Sequence, residues 1–333
     1  MSSPSPLPGP DPASTPAGGV PAAPRGRRRD HLLTGALGLI LAPACLILAG
    51  LAAQQSARGN AVLTVLYLAL LFAVCMAAHG VFAVRSSVGP LVAGLTALVL
   101  QLAVLGVPER VLSLPYGWVQ ALIPTGMVLV VAAVLLGGSW GMRRARRRGR
   151  GEARLSFRLS QSDKEMGVTP SAPPSRRRDH IGSLVLTVPS MLVAIALLHR
   201  GYTGVAHPPA GSPSWGLLAA GFLMLLAAAG SARSSLGLRA TGPLLVLLGL
   251  PAILSLRVPF YTRVIRLLPG DPTAITLVGT GLILSALGLG VHLARRDGRL
   301  SELAALHPSG PGSNRRTAGR MEVLSKDELL RSK

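Results

Sequence analysis

The sequence predicts an all-α membrane protein with eight transmembrane helices, arranged as two tandem, parallel four-helix repeats. Three observations predict it. Apolar residues make up 49% of the 333-residue chain while charged residues make up 14%, a balance that leaves too little polar surface for a soluble fold. Mean hydropathy is +0.48. Eight apolar runs of near-spanning length punctuate the chain, and a basic pentapeptide that precedes the first run returns before the fifth.

The runs lie at about 32–53, 61–83, 88–107, 118–138, 181–199, 215–232, 240–256 and 272–293. About 20 residues rising 1.5 Å each cross a hydrocarbon core of roughly 30 Å, and the shorter runs near 215 and 240 borrow flanking residues to reach that length. In lipid the backbone must satisfy its own hydrogen bonds, which selects helices, and these Leu/Ala/Val/Gly runs lack the alternation of barrel strands. The first run follows Arg27, Arg28 and Arg29 and so resembles a signal sequence. It is too long for a typical signal core, and the same arrangement recurs in mid-chain, so it is read as a retained span.

The duplication rests on ordered matches. Arg27-Arg28-Arg29-Asp30-His31 reappears as Arg176-Arg177-Arg178-Asp179-His180, an offset of 149 (176 − 27). Arg85-Ser86-Ser87 matches Arg233-Ser234-Ser235, Gly89-Pro90-Leu91 matches Gly242-Pro243-Leu244, and Thr125-Gly126 matches Thr280-Gly281. The offset drifts by a few residues while the order holds. Four spans per unit is an even number, so both units enter the membrane in the same direction.

Arginine supplies nearly all of the +21 formal charge and clusters before the first span, across 143–158, at 176–178 and at Arg295, Arg296 and Arg299. Positive-inside counting places these segments, and both termini, in the cytoplasm. The expected organisation is a disordered tail at 1–26, a first membrane unit at 27–143, a basic linker at 144–175, a second unit at 176–296 and a C-terminal tail at 297–333. Met321 to Leu330 is expected as a short amphipathic helix within that tail, and Arg257 to Leu268 as an interfacial stretch on the outer side. The arginine, alanine, glycine and proline excess points to a GC-rich bacterial genome, hence to a bacterial cytoplasmic membrane.

All thirteen Asp and Glu residues fall outside the spans. Proton relays and ion pathways need ionisable groups in the membrane, so this distribution argues against ion-coupled transport. The paired Asp30/His31 and Asp179/His180 could in principle pool four metal ligands, but helix capping by each aspartate is the simpler expectation. His79, His199 and His292 lie near span ends and are expected at the interface. Gln101 and Gln120 could hydrogen-bond between helices, and the small residues Gly281 and Ser285, or Ala227 and Ser231, could allow close helix contact. Cys45 and Cys75 sit about 20 Å and 12 Å along their helices from the cytoplasmic side, which favours packing over a disulfide. No phosphate-binding glycine loop, zinc-ligand spacing or nucleophile elbow occurs, so no catalytic residue, metal or cofactor is expected.

These readings predict a non-enzymatic structural or interaction protein of the membrane. Its expected partners are anionic lipid headgroups, contacted by Arg27, Arg28, Arg29, Arg176, Arg177 and Arg178, and an acidic protein partner for the basic segments rather than nucleic acid. The rival is an uncoupled transporter or lipid-handling protein with a site between the two repeats, suggested by prolines such as Pro43, Pro124 and Pro189 within spans.

Overall fold

A computed structural model describes residues 27–107, 110, 115–169, 175–206, 215–254 and 271–306. The protein is all-helical, with 91% helix and, among the described residues, no strand. Residues Gly26–Leu303 form one compact unit, to which the following description applies. The tail 1–26, the interfacial stretch 257–268 and the helix expected at 321–330 lie outside the described residues.

The chain runs through α1 (Arg27–Ala57), α2 (Ala61–Val84), α3 (Val88–Gly106), a short α4 (Gly117–Leu122), a 3-10 turn (Ile123–Thr125) and α5 (Met127–Glu165). It continues with α6 (Arg177–Ala206), α7 (Trp215–Gly230), α8 (Leu236–Ile253) and α9 (Asp271–Leu306). Among the described residues seven helices are long and apolar enough to cross a membrane, which makes this a multi-pass membrane protein. The apolar α7 has 16 residues, about 24 Å of helix, and falls short of a full hydrocarbon core by length alone.

Local chemistry explains the element boundaries. Asn60 caps α2 by accepting from the Leu63 N–H at 3.2 Å. The run expected as one span at 118–138 is instead broken, because Gly126 adopts φ +66° between the Pro124 turn and α5. A Cβ there would also press on Leu198 and Tyr202 of α6. Beyond the break, α5 does not end near 143. It continues as helix to Glu165, through most of the segment expected as a linker. Alanine, arginine and glutamate favour helix, and Gly141, Ala145, Gly149 and Ala153 put a buried stripe of small residues on one face at intervals of four. Similarly α9 continues past 296 to Leu306.

The spans are arranged around α5 and α9. In their most apolar stretches 72% and 83% of residues are buried, against 28–50% for the other five spanning helices, so these two helices are central. Glycines bring the backbones together, as membrane helices require when lipid is as apolar as the core. A Cβ on Gly38 of α1 would overlap the Gly89 carbonyl of α3, and one on Gly137 of α5 would overlap the Leu225 carbonyl of α7. Gly242 of α8 and Gly281 of α9 face each other's backbone, with Ser285 against Gly242. The expected packing roles of Gly281 and Ser285 are thus realised between two helices. Gly290 of α9 packs against His79 of α2, so the last of the described helices is held against the second.

Candidate functional site

The polar chemistry gathers at the helix ends where α1, α6 and the α2–α3 and α7–α8 turns meet the long arginine-bearing halves of α5 and α9. His31 shares a hydrogen bond of 2.7 Å between Nδ1 and Ser86 Oγ, and that same oxygen accepts from the Val88 N–H at 3.2 Å. His180 and Ser234 make the same contact at 2.7 Å, with Leu236 N–H donating to Ser234 Oγ at 3.2 Å. In both places an imidazole ties the start of one helix to the turn that opens another. Asp30 and Asp179 lie within the first turn of their helices rather than at a cap, favourably placed in the helix dipole, and Asp30 lies 3.9 Å from Arg85. Among the described residues no group of three or more His, Cys, Asp and Glu side chains is placed to hold a metal ion.

Arginines from the two central helices close off neighbouring helix ends. Arg146 donates through Nη2 to the carbonyls of Phe82, at 3.3 Å, and Ala83, which end α2. Arg295 donates to the Arg233 carbonyl at 3.1 Å in the α7–α8 turn. Helices leave their last carbonyls without intrahelical partners, and a guanidinium is well suited to them. The same arginines clasp α5 to α9. Arg146 lies 3.5 Å from Asp297, Arg295 binds Glu152, and Arg154 binds Glu302 at 2.6 Å. Arg176 also joins Glu152, at 2.5 Å. The backbones cross closely here, since a Cβ on Gly149 would overlap the Arg295 carbonyl and one on Gly298 would overlap the Arg146 carbonyl.

Beside this clasp lies a cavity of about 690 Å³, within the range of roughly 300–1,000 Å³ common for small-molecule sites. Arg143, Arg146, Arg147 and Arg150 project into it from α5, and Arg85 from the α2–α3 turn, with Asp30 the lone carboxylate in its wall. Arg146 and Arg147 follow Arg143 by three and four residues, and Arg150 follows Arg147 by three, a spacing that puts all four on one face. Ser86, Ser87 and the first turn of α3 form another wall, while Leu91 and Trp140 supply apolar surface.

The arginines singled out for lipid contact are arranged differently. Arg28 and Arg29 are exposed on the first turn of α1, and Arg27 starts that helix. Arg177 and Arg178 are exposed on α6, whereas Arg176 is engaged by Glu152. The cavity-facing set of α5 was not anticipated, because the segment from 144 onward read as linker. The signal was present in the sequence. Gly141 to Arg150, GMRRARRRGR, aligns with Gly290 to Arg299, GVHLARRDGR, at the same 149-residue offset (290 − 141).

Within the bundle, His79 departs from its expected interfacial position. It is buried, with Nδ1 bonded to the Cys75 carbonyl at 2.7 Å and its ring edge-on to Phe82, because α9 covers this face of α2. Cys45 and Cys75 are buried free thiols whose sulfurs are 3.5 Å apart, so packing brings the two helices together at the depth of both. Tyr202 of α6 donates to Gln101 Oε1 of α3 at 2.7 Å, which gives Gln101 the interhelical role anticipated for it. Thr276 of α9 donates to the Thr125 carbonyl at 2.6 Å. Compared with protein-family models, curated proteins and solved structures, the chain matches none.

Proposed function

We propose that this chain is a non-enzymatic structural or interaction protein of the bacterial cytoplasmic membrane, built of eight spans in two tandem parallel four-helix repeats with both termini in the cytoplasm. Its partners on this reading are anionic lipids at the cytoplasmic face and an acidic protein partner for the exposed basic helix ends. The observation that carries the reading is the close packing, among the described residues, of the seam between the first and second halves. Gly137 meets the α7 backbone, Tyr202 bonds Gln101, and Thr276 bonds the Thr125 carbonyl. The space lined there by Pro124, Thr125, Ile195, Leu198, His199 and Thr276 measures about 10 Å³, enough for about one water. A transporter with its site between the halves would need a continuous cavity along that seam.

The repeat is supported by paired details. The His31–Ser86 and His180–Ser234 contacts have equal lengths, and Arg146 and Arg295 each reach a carbonyl near the end of the second helix of their own half. An eighth span requires α7 to enlist flanking residues; it packs against α5 and α6, burying Leu217, Ala220, Met224, Ala227 and Ala228, and leaves Leu218, Phe222 and Leu226 exposed as a lipid-facing surface.

Two measurements test this proposal, one in intact cells and one on the chain purified in lipid. Single cysteines replacing Arg58 and Ser160 are treated from outside intact cells with an impermeant thiol reagent, and only the first is expected to react. Solutes that copurify are then identified by mass spectrometry. A reproducibly bound solute whose retention is lost on widening the seam with Gly137→Leu would replace the structural reading with transport.

A further inference from the structure

We infer that the arginine-lined cavity at the end of α5 binds one phosphate-bearing anion per chain, with Arg143, Arg147 and Arg150 as its principal contacts. The inference rests on the proposed function in one respect, that this face meets the cytoplasmic leaflet.

Charge and geometry carry it. Five guanidinium groups line the cavity against one carboxylate, and Asp30 is 3.9 Å from Arg85. Arg146 is committed to the Phe82 and Ala83 carbonyls and to Asp297. Arg143 and Arg147 make no ion pair or hydrogen bond among the described residues, Arg150 shares the field of Asp297 without a contact inside 4 Å, and all three line the same space. Three guanidinium groups held on one helical face repel one another, and an anion that they share removes that cost. Guanidinium forks match phosphate oxygens in a bidentate way that favours phosphate over a simple counter-ion. Another wall adds the start of α3, where Ser86 rather than the cap residue Ser87 accepts from the Val88 N–H, and the positive end of the helix dipole favours the same charge.

General membrane orientation does not account for this arrangement. A charge that only marks the cytoplasmic side can point anywhere around the helix, as Arg144 and Arg148 do. Arg144 stacks over the outer side of Trp140 with its guanidinium carbon 5.1 Å from the ring centroid, and neither Arg144 nor Arg148 lines the cavity. Trp140 and Leu91, both exposed, continue the cavity wall as apolar surface, which suits a phosphate that carries acyl chains. The second half keeps part of this set, since Arg296 and Arg299 align with Arg147 and Arg150, but His292 stands in place of Arg143, and Glu152 binds Arg295 and Arg176 there as an internal carboxylate.

The test uses the full chain in a neutral detergent, titrated separately with phosphatidylglycerol, phosphatidylcholine and inorganic phosphate and read by native mass spectrometry. One phosphatidylglycerol is expected to remain per chain, with no comparable retention of phosphatidylcholine. The triple variant R143Q/R147Q/R150Q is expected to weaken retention on the order of 100-fold, and R144Q/R148Q by less than about twofold. If inorganic phosphate binds with the same sensitivity to the triple variant and displaces the lipid, the site stands and its source is soluble phosphate. If the triple variant does not elute as a folded monodisperse species, R143Q alone replaces it, with roughly a fivefold loss expected. The inference is overturned if R144Q/R148Q loses as much as the cavity variants, if phosphatidylcholine is retained equally, or if wild-type protein holds neither lipid nor phosphate. Labelling of Ser160→Cys from outside would overturn the proposed orientation, whereas binding in detergent decides the site independently.

Discussion

The crossing of α5 and α9 offers a sharp test, because two glycines with different surroundings sit two residues apart on one helix. Gly149→Ala places a methyl against the Arg295 carbonyl and within 3.1 Å of the Arg299 nitrogen, so the helices must separate. Overpacking of this kind costs about 1–3 kcal/mol, offset by up to about 1 kcal/mol from the better helix propensity of alanine. Gly151→Ala gains the same propensity, and nothing lies within 4 Å of its new methyl. The two variants should therefore differ by about 2 kcal/mol, with Gly149→Ala the less stable. Gly298→Ala places its methyl against the Arg146 carbonyl of the facing helix and should match Gly149→Ala. One small separation of the helices relieves both clashes, so the double variant should cost less than the sum of the singles. The assay is reversible unfolding by sodium dodecyl sulfate in mixed micelles, followed by tryptophan fluorescence. If Gly149→Ala and Gly151→Ala agree to within about 0.5 kcal/mol, the size of ordinary surface effects, the close crossing is refuted.

Two further predictions follow from contacts inside the bundle. Mild oxidation by copper phenanthroline should link Cys45 to Cys75 within one chain, since their sulfurs already touch at 3.5 Å, and intact mass after denaturing alkylation should show neither thiol modified; recovery of two alkylated cysteines would count against the contact. Tyr202→Phe removes the donor to Gln101 across the seam and should cost about 0.6–1.7 kcal/mol in the same unfolding assay, with a smaller further loss when Gln101→Leu is added; fully additive losses would show that the two side chains do not interact.

Much of the fold was legible because lipid makes helix formation a local decision. A segment such as Ala61–Val84 must satisfy its own backbone wherever it packs, and its cap at Asn60 is written into the sequence. The extension of α5 to Glu165 is hidden in the sequence, because arginine, glycine and serine in 144–175 resemble the composition of a flexible linker. The stripe of Gly141, Ala145, Gly149 and Ala153 carried the opposite message, but small residues at intervals of four show their meaning only when a partner helix is present. The burial of His79 is illegible for a related reason: proximity to a helix end gives its depth along α2 and says nothing of the neighbouring α9 that buries it.

By itself the sequence determined that this is a multi-pass helical membrane protein, where its apolar runs lie, and on which ends its arginines collect. Those properties depend on local composition and on the solvent properties of a bilayer. Only the tertiary structure decided that α5 and α9 occupy the centre, that Cys45 meets Cys75, that His31 finds Ser86, and that four arginines of one helical face enclose a cavity with Arg85. Each of these depends on which faces of distant segments meet, and a periodic pattern specifies a face without naming its partner.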